Sequence, residues 1–346
     1  MTVEMSSALE VNQDALDAFL RRFFGPGKAS FLAEHGAWLH GGNENRWILK
    51  VDGTIAGYCA VIPTVIDAGG LTAPAVWWVD IMIAPEFRGQ HLQSYFDRKL
   101  QDNPVLKVGF PNEVAAKIHR KHHWGVREDL QVLLCPLKPL QVRQVAESHA
   151  GRGVLLKAGA ALLTPVSALY QALLKIKNNP AVVRLEQPSA EMLAQVFEQA
   201  HDFTLATTHR DEGYLRHRFL EAPYAQELRY YQSSTASGLK LVMVTRTLMR
   251  EQQRVTRILD LFGDLSDQHA IRAIARQVLR DASREGSTQV TVMVTLPELV
   301  SAFRQVGFLM KGTARFCWLS PDQRLMDAFA GRIHFTLADS DNDETH

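Results

Sequence analysis

VDIMIAPEFRGQHLQSYFDRKL, residues 79–100, is the stretch on which the reading of this chain turns. It begins as a short apolar run carrying a single carboxylate, Asp80. It ends as an amphipathic helix, with Leu92, Tyr95, Phe96 and Leu100 spaced along one face. Pro85 and Arg88-Gly89-Gln90-His91 lie at the junction. A helix N-terminus leaves N–H groups without partners and carries about half a unit of positive charge. Directly after a buried strand it is an anion site. Gly89 lets the backbone approach a ligand closely, Arg88 adds a charge-assisted donor, and the spacing predicts phosphate or pyrophosphate. An isolated Arg-Gly would read as an ordinary turn with a solvated arginine; here the order of neighbouring elements decides against that.

Upstream, Ala75 to Ile83 reads as a strand, and Trp47 to Val51, Asp52-Gly53 and Ile55 to Ile62 read as a hairpin with a tight turn. A helix is expected over Gln13 to Phe24, with Ala15, Leu16, Phe19, Leu20 and Phe23 on one face, ended by Gly25-Pro26-Gly27. Downstream come a strand at Val105 to Phe110, a helix at about Asn112 to His122 and a strand at Leu130 to Leu137. After Asn179-Pro180 the order repeats in outline. A strand at Val182 to Glu186 leads to helices at Ser189 to Ala200 and Asp211 to Phe219, then β-runs at Glu227 to Gln232, Leu239 to Thr247 and Val255 to Phe262. A helix at Asp267 to Glu285, a strand at Gln289 to Val294, a helix at Pro297 to Gly307 and a strand near Ala314 to Leu319 complete it. The expected class is α/β (α+β): two related domains, 1–137 and 181–330, each a mixed sheet flanked by helices, joined by a helical connector at 138–180 and followed by a tail at 331–346.

The length of 346 residues exceeds what one core usually supports. Lys and Arg number 38 against 37 for Asp and Glu, so no strong field favours nucleic acid. Cys59, Cys135 and Cys317 stand far apart with no C-x-x-C pair, which argues for a reduced compartment and against a disulfide framework or a zinc ribbon. The start, MTVEMSSALEVNQDALDAF, has no basic flank before an apolar core, so a cytoplasmic protein is expected. Gly153 to Ile176 is apolar but carries Lys157, Thr164 and Pro165. It reads first as a packed helical connector, second as a peripheral membrane contact and last as a span.

The stretch Ile81-Met82-Ile83-Ala84-Pro85-Glu86-Phe87-Arg88-Gly89-Gln90-His91-Leu92-Gln93 resembles the hallmark of the GNAT acyltransferase superfamily, Q/R-x-x-G-x-G/A after a strand. His91 and Gln93 stand where that family prefers glycine, and glycine or alanine. The resemblance implies that backbone amides of Arg88, Gly89, Gln90, His91, Leu92 and Gln93 receive the pyrophosphate of acetyl-CoA or a longer acyl-CoA, with pantetheine along Ile81, Met82 and Ile83. It also places Asn112 after the fifth strand, His119 where the family carries a Tyr acting as general acid, and His123-Trp124 in place of Gly-Phe. Histidine can supply a proton near neutral pH. The alternative is a basic helix end formed by His119, His122 and His123, and no ligand-spaced partner there indicates a metal. Asp80, in an apolar strand, is the first candidate general base and Glu113 the second. A structural acceptor of backbone hydrogen bonds is the alternative for Asp80, and Trp77 and Trp78 either wall a cleft or belong to the core.

In the second half no Arg-Gly follows Ile258 to Leu265, Phe303 holds the Tyr position, and Asp264 and Asp267 would repel a phosphate. That half reads as a degenerate copy. Tyr214 to Phe219 and Ile333 to Asp341 resemble segments of tandem GNAT-like proteins, including those encoded with cell-surface polysaccharide genes. Arg216 and Arg218 there would hold an acidic sugar or peptide, or form a solvated face. The leading expectation is an N-acyltransferase moving an acyl group from acyl-CoA to a primary amine of a small molecule or amino sugar, without metal or nucleic acid. A non-catalytic acyl-CoA sensor or scaffold, a Fem-type aminoacyl transferase and a membrane-peripheral polysaccharide assembly protein are the alternatives.

Overall fold

A computed structural model describes residues 1–101, 105–138, 181–250 and 252–341. The expectations placed on the connector and on 153–176 lie outside the described residues. The first half contains β1 (Val3–Ser7), α1 (Gln13–Leu39), β2 (Arg46–Val51), β3 (Thr54–Ala68), β4 (Leu71–Ile83), α2 (Gln93–Gln101), β5 (Leu106–Gly109), α3 (Glu113–Lys121) and β6 (Gly125–Pro136). The second contains β7 (Val182–Leu185), α4 (Ala190–Gln199), β8 (Ala206–Thr208), α5 (Glu212–Leu215) running into a π turn at Arg216–Leu220, β9 (Leu228–Ser234), β10 (Lys240–Arg250) and β11 (Gln253–Gly263). It continues through α6 (Gln268–Arg284), β12 (Gln289–Val294), α7 (Pro297–Arg304), β13 (Leu309–Leu319), α8 (Gln323–Ala328) and β14 (Ile333–His334). Among the described residues no helix is long and apolar enough to cross a membrane.

The strands form one mixed sheet ordered β1-β2-β3-β4-β5-β13-β6-β12-β11-β10-β9-β7, with β8 and β14 to one side. Its centre is an exchange. β13, from the second half, lies between β5 and β6, while β6, from the first half, lies between β13 and β12. The expected separation into a first unit ending at 137 and a second beginning at 181 therefore describes the chain order, whereas the sheet interleaves the two. Periodicity identifies a strand but not its neighbour, so this pairing had no signature in the sequence. Gly125 faces the Trp318 ring across the β6–β13 pair, and a Cβ there would lie 2.1 Å from it.

Only two pairs on the main path are parallel, and each is made through a helical crossover. β4 pairs with β5 at Ala75 to Trp77 through α2, and β11 pairs with β12 at Val255 to Ile258 through α6. Beyond those residues the strands part, so Val79 to Ile83 and Leu259 to Gly263 have no strand partner on that side among the described residues.

Two local expectations are corrected, the end of α1 and the role of Arg218, and one strand is added. Gly25-Pro26-Gly27 kinks α1 instead of ending it. Gly25 takes φ 82, and Pro26 sits in the first turn of the continuing helix, where its missing N–H costs little. β1 is a short edge strand paired with β2, and its polar composition hid it. In the tail, Phe335 to Ser340 is buried. Arg218 donates to the carbonyls of Ala338 and Ser340, so it is committed to the chain's own backbone and not to an acidic ligand. Arg216 stays on the surface, paired with Glu212.

One apolar cluster joins Leu20 of α1, Tyr58 of β3, Trp77 of β4, Phe219, Val244 of β10, Phe316 of β13 and Phe335. Within it Arg210 is fully buried, donating to Asp260 (2.8 and 2.9 Å), Asp339 (3.2 Å), the Thr207 hydroxyl (2.9 Å) and the Thr208 carbonyl (2.8 Å). Removing one member of such a network leaves charges buried without compensation. Arg210→Met is expected to cost about 3–5 kcal/mol in chemical denaturation; a loss below about 1 kcal/mol would show that the network contributes little.

Candidate functional site

The first parting of strands carries Asp80. Val79 opposes Ala60 and Met82 opposes Tyr58, so Asp80 and Ile81 together face Cys59, which makes a β-bulge. Asp80 takes φ 58, a conformation that Asp tolerates better than most residues. In an unbroken pleat it would share a face with Val76 and Trp78. The bulge delivers it to the α1 side, where its carboxylate pairs with Lys28. Lys28 also binds Asp341 at 2.7 Å. Both Lys28 and Asp80 are buried, and Asp80 Oδ2 has no partner among the described residues. Burial lifts the Asp80 carboxyl to about 6, against the pull of Lys28. Nearby, Arg46 Nε donates to the Tyr58 hydroxyl at 3.1 Å. Burial and Arg46 hold His40 down at about 3, so this imidazole is neutral.

Lys28, His40, Arg46, Tyr58 and Asp341 escaped the sequence reading. For Lys28 the signal was there: continued past Gly27, α1 places it one turn before Leu32 on the buried face. A lysine on an apolar face marks a partner. Asp341 lies more than two hundred and fifty residues from Asp80, and no local pattern connects them.

The Arg-Gly loop stands at the end of the same strand. A 3-10 turn, Pro85–Phe87, leads into Arg88, whose Nε donates to the Ile83 carbonyl at 3.1 Å and so ties the loop to the strand. Arg22 of α1 holds Glu86 at 2.7 Å. The N–H groups of Gly89, Gln90, His91, Leu92 and Gln93 donate to nothing among the described residues. Gly89 has φ 80 and open space where a Cβ would be. His91 has φ 56 with an exposed side chain, so its backbone keeps the left-handed turn that glycine would give. Successive free N–H groups in such turns form an anion-binding concavity.

The second half arranges the corresponding loop differently. Asp264 Oδ1 accepts from Ser266 N (3.1 Å), and Asp267 Oδ1 accepts from His269 N (2.8 Å) and Ala270 N (3.0 Å). Carboxylates of the chain itself occupy the donors that an anion would use.

The other sequence candidates are placed apart from Asp80. Asn112 caps α3, its side chain accepting from Ala115 N at 2.9 Å. Glu113 is exposed and paired with Lys117 at 2.8 Å, and that hydrogen bond lowers its pKa. His119 lies between Trp78 and Trp124, with ring centroids 5.7 and 4.5 Å away, on the face of β4 opposite the Asp80 carboxylate. Burial pushes it down to about 4. At neutral pH it is an uncharged imidazole with no acidic proton to give. Trp77 and Trp78 are both core residues. Ile81, Met82 and Ile83 are half-buried along the unpaired edge of β4. Among the described residues no group of His, Cys, Asp or Glu is placed to hold a metal ion.

The large mixed sheet flanked by helices matches in fold the solved structures of GCN5-related N-acetyltransferases. A GCN5-related N-acetyltransferase from Anabaena variabilis is similar with TM-score 0.58 and 14% identity, covering 92% of this chain and 72% of its own. Saccharomyces cerevisiae N-myristoyltransferase with bound myristoyl-CoA is similar with TM-score 0.60 and 10% identity, covering 92% of this chain and 78% of its own. An Enterococcus faecalis protein described as a probable N-acyltransferase gives TM-score 0.57 at 10% identity, covering 92% and 72%. No protein-family profile and no curated protein matches the chain.

Proposed function

We propose that this chain is an acyl-CoA-dependent N-acyltransferase acting on a primary amine of a small molecule or amino sugar, built as two GNAT-like halves of which the first carries the site. The observation that supports it most is the row of unpartnered N–H groups at Gly89 to Gln93, above a strand whose bulge presents a buried carboxylate. Acyl-CoA fits this loop because, among the described residues, the donors have no partner, the turn is open at Gly89 and no carboxylate fills it. The pyrophosphate would be held by those amides and the α2 N-terminus, with Ile81 to Ile83 offering an unpaired strand edge to the pantetheine arm. When bound, the thioester supplies an activated acyl group.

The remaining steps belong to the chain's own residues. Asp80, ionised above about pH 6, takes the proton that a primary ammonium must lose before it can attack. Lys28 balances the charge of that carboxylate while it is ionised and keeps it aimed from the α1 side. Asp341 holds Lys28 in turn. The buried, low-dielectric setting of Lys28 and Asp80 strengthens these contacts. A non-catalytic acyl-CoA sensor is the second reading, favoured by the burial of His119 away from Asp80. Calorimetric titration with acetyl-CoA and longer acyl-CoAs, followed by amine-dependent release of free CoA thiol, separates the two. Binding with thiol release is the expected result. Binding without release on any amine selects the sensor, and absence of binding rejects both.

A further inference from the structure

Where β11 and β12 begin, the sheet floors a cavity of about 50 Å3 that Leu337 of the tail also lines. Along β12, Val290, Val292 and Val294 join the apolar cluster that packs α6, so Thr291 and Met293 face the other side. Thr291 is 8% exposed. Its backbone lies between Arg257 of β11 and Leu134 of β6, so it is the side chain that lines the cavity. The Thr291 hydroxyl has no partner among the described residues and is not sealed in as that of Thr295 is. What surface it keeps opens into the cavity. A buried hydroxyl without a protein partner marks a place for a ligand.

The charges around the cavity select that ligand. Arg250 from the end of β10, Arg257 from β11 and Lys311 from β13 line it together. Lys311 is the extra residue of a β-bulge, since Met310 opposes Leu133 and Gly312 opposes Val132. Partial desolvation of Lys311, then the charges of Arg250 and Arg257, hold its ammonium below the usual lysine range, so the three cations are close enough to repel. Among the described residues no carboxylate lines the cavity, and neither Arg250 nor Lys311 has an ion-pair partner. Converging positive charge without a counter-charge, over a hydroxyl that can donate, calls for an oxyanion. Phosphate brings more charge and more acceptor oxygens than a carboxylate. The volume admits one such group and not a whole metabolite. We propose that this cavity binds a phosphate group, either the free ion or the end of a phosphomonoester, as a site separate from the loop at Gly89 to Gln93.

The test titrates the full chain calorimetrically with inorganic phosphate and with glycerol 3-phosphate in a phosphate-free buffer. Both are expected to bind, more weakly as salt is raised. Tighter binding of glycerol 3-phosphate assigns the site to a phosphomonoester, and equal or weaker binding assigns it to the free ion. Lys311→Gln and Arg250→Gln are each expected to weaken phosphate by about tenfold, and Thr291→Val by about threefold or more. Gly89→Glu leaves it unchanged, so failure here is distinguishable from failure of the acyl-CoA reading. No binding of either ligand overturns the proposal. So do loss of phosphate binding in Gly89→Glu, which would put the ion on the acyl-CoA loop, and a Lys311→Gln protein that binds phosphate within about twofold of wild type.

Discussion

Gly89→Glu is expected to weaken acyl-CoA binding by about 100-fold or more in calorimetric titration. The added carboxylate enters the concavity formed by the N–H groups of Gly89 to Gln93 and offers them an internal partner, while repelling the pyrophosphate. The second half already shows this arrangement, with Asp264 and Asp267 accepting from their own loop and helix start. Two parts of the effect can be separated. Any side chain at φ 80 costs about 1 kcal/mol in backbone strain, so Gly89→Ala should lose about tenfold at most, since its Cβ meets nothing within 4 Å. The remainder in Gly89→Glu is electrostatic and shrinks as salt is raised. Retention of affinity within about threefold in the glutamate variant would remove the loop as the acyl-CoA site.

Asp80→Asn is expected to lower kcat by about 100-fold to 10,000-fold without changing the Kd for acyl-CoA. Asparagine keeps the shape and tolerates positive φ, so the bulge at φ 58 survives, and Lys28 retains Asp341. The sign of the pH effect follows from the raised carboxyl. Below about pH 6 Asp80 is protonated and cannot accept the amine's proton; above it the carboxylate is available. The wild-type rate should therefore climb through about pH 6 and level off, and that limb should vanish in the asparagine variant. An asparagine variant within tenfold of the wild-type rate, with the limb intact, would assign proton removal to another group.

Much of the first half was legible because its signals are local. The short apolar runs that mark β2 and β3, the Asp52-Gly53 turn between them and the 3.6-residue period of α2 are each set by residues within one or two turns of one another. The Arg88-Gly89 loop was legible for the same reason: a free helix N-terminus after a strand is a property of a dozen consecutive residues. Asp80 was visible as a lone carboxylate in an apolar strand.

Local pattern was enough to establish a mixed α/β chain with two similar runs of elements and, in the first of them, a glycine turn between a strand and a helix start. The tertiary structure alone decided that β6 and β13 change places, because strand pairing depends on hydrogen bonds between segments with no pattern in common. It alone decided which way Asp80 faces, because a single extra residue in β4 reverses the side of the sheet. And it alone brought Lys28 and Asp341 to that carboxylate and left His119 on the other face, since charges buried far apart in sequence find partners only when the core closes around them.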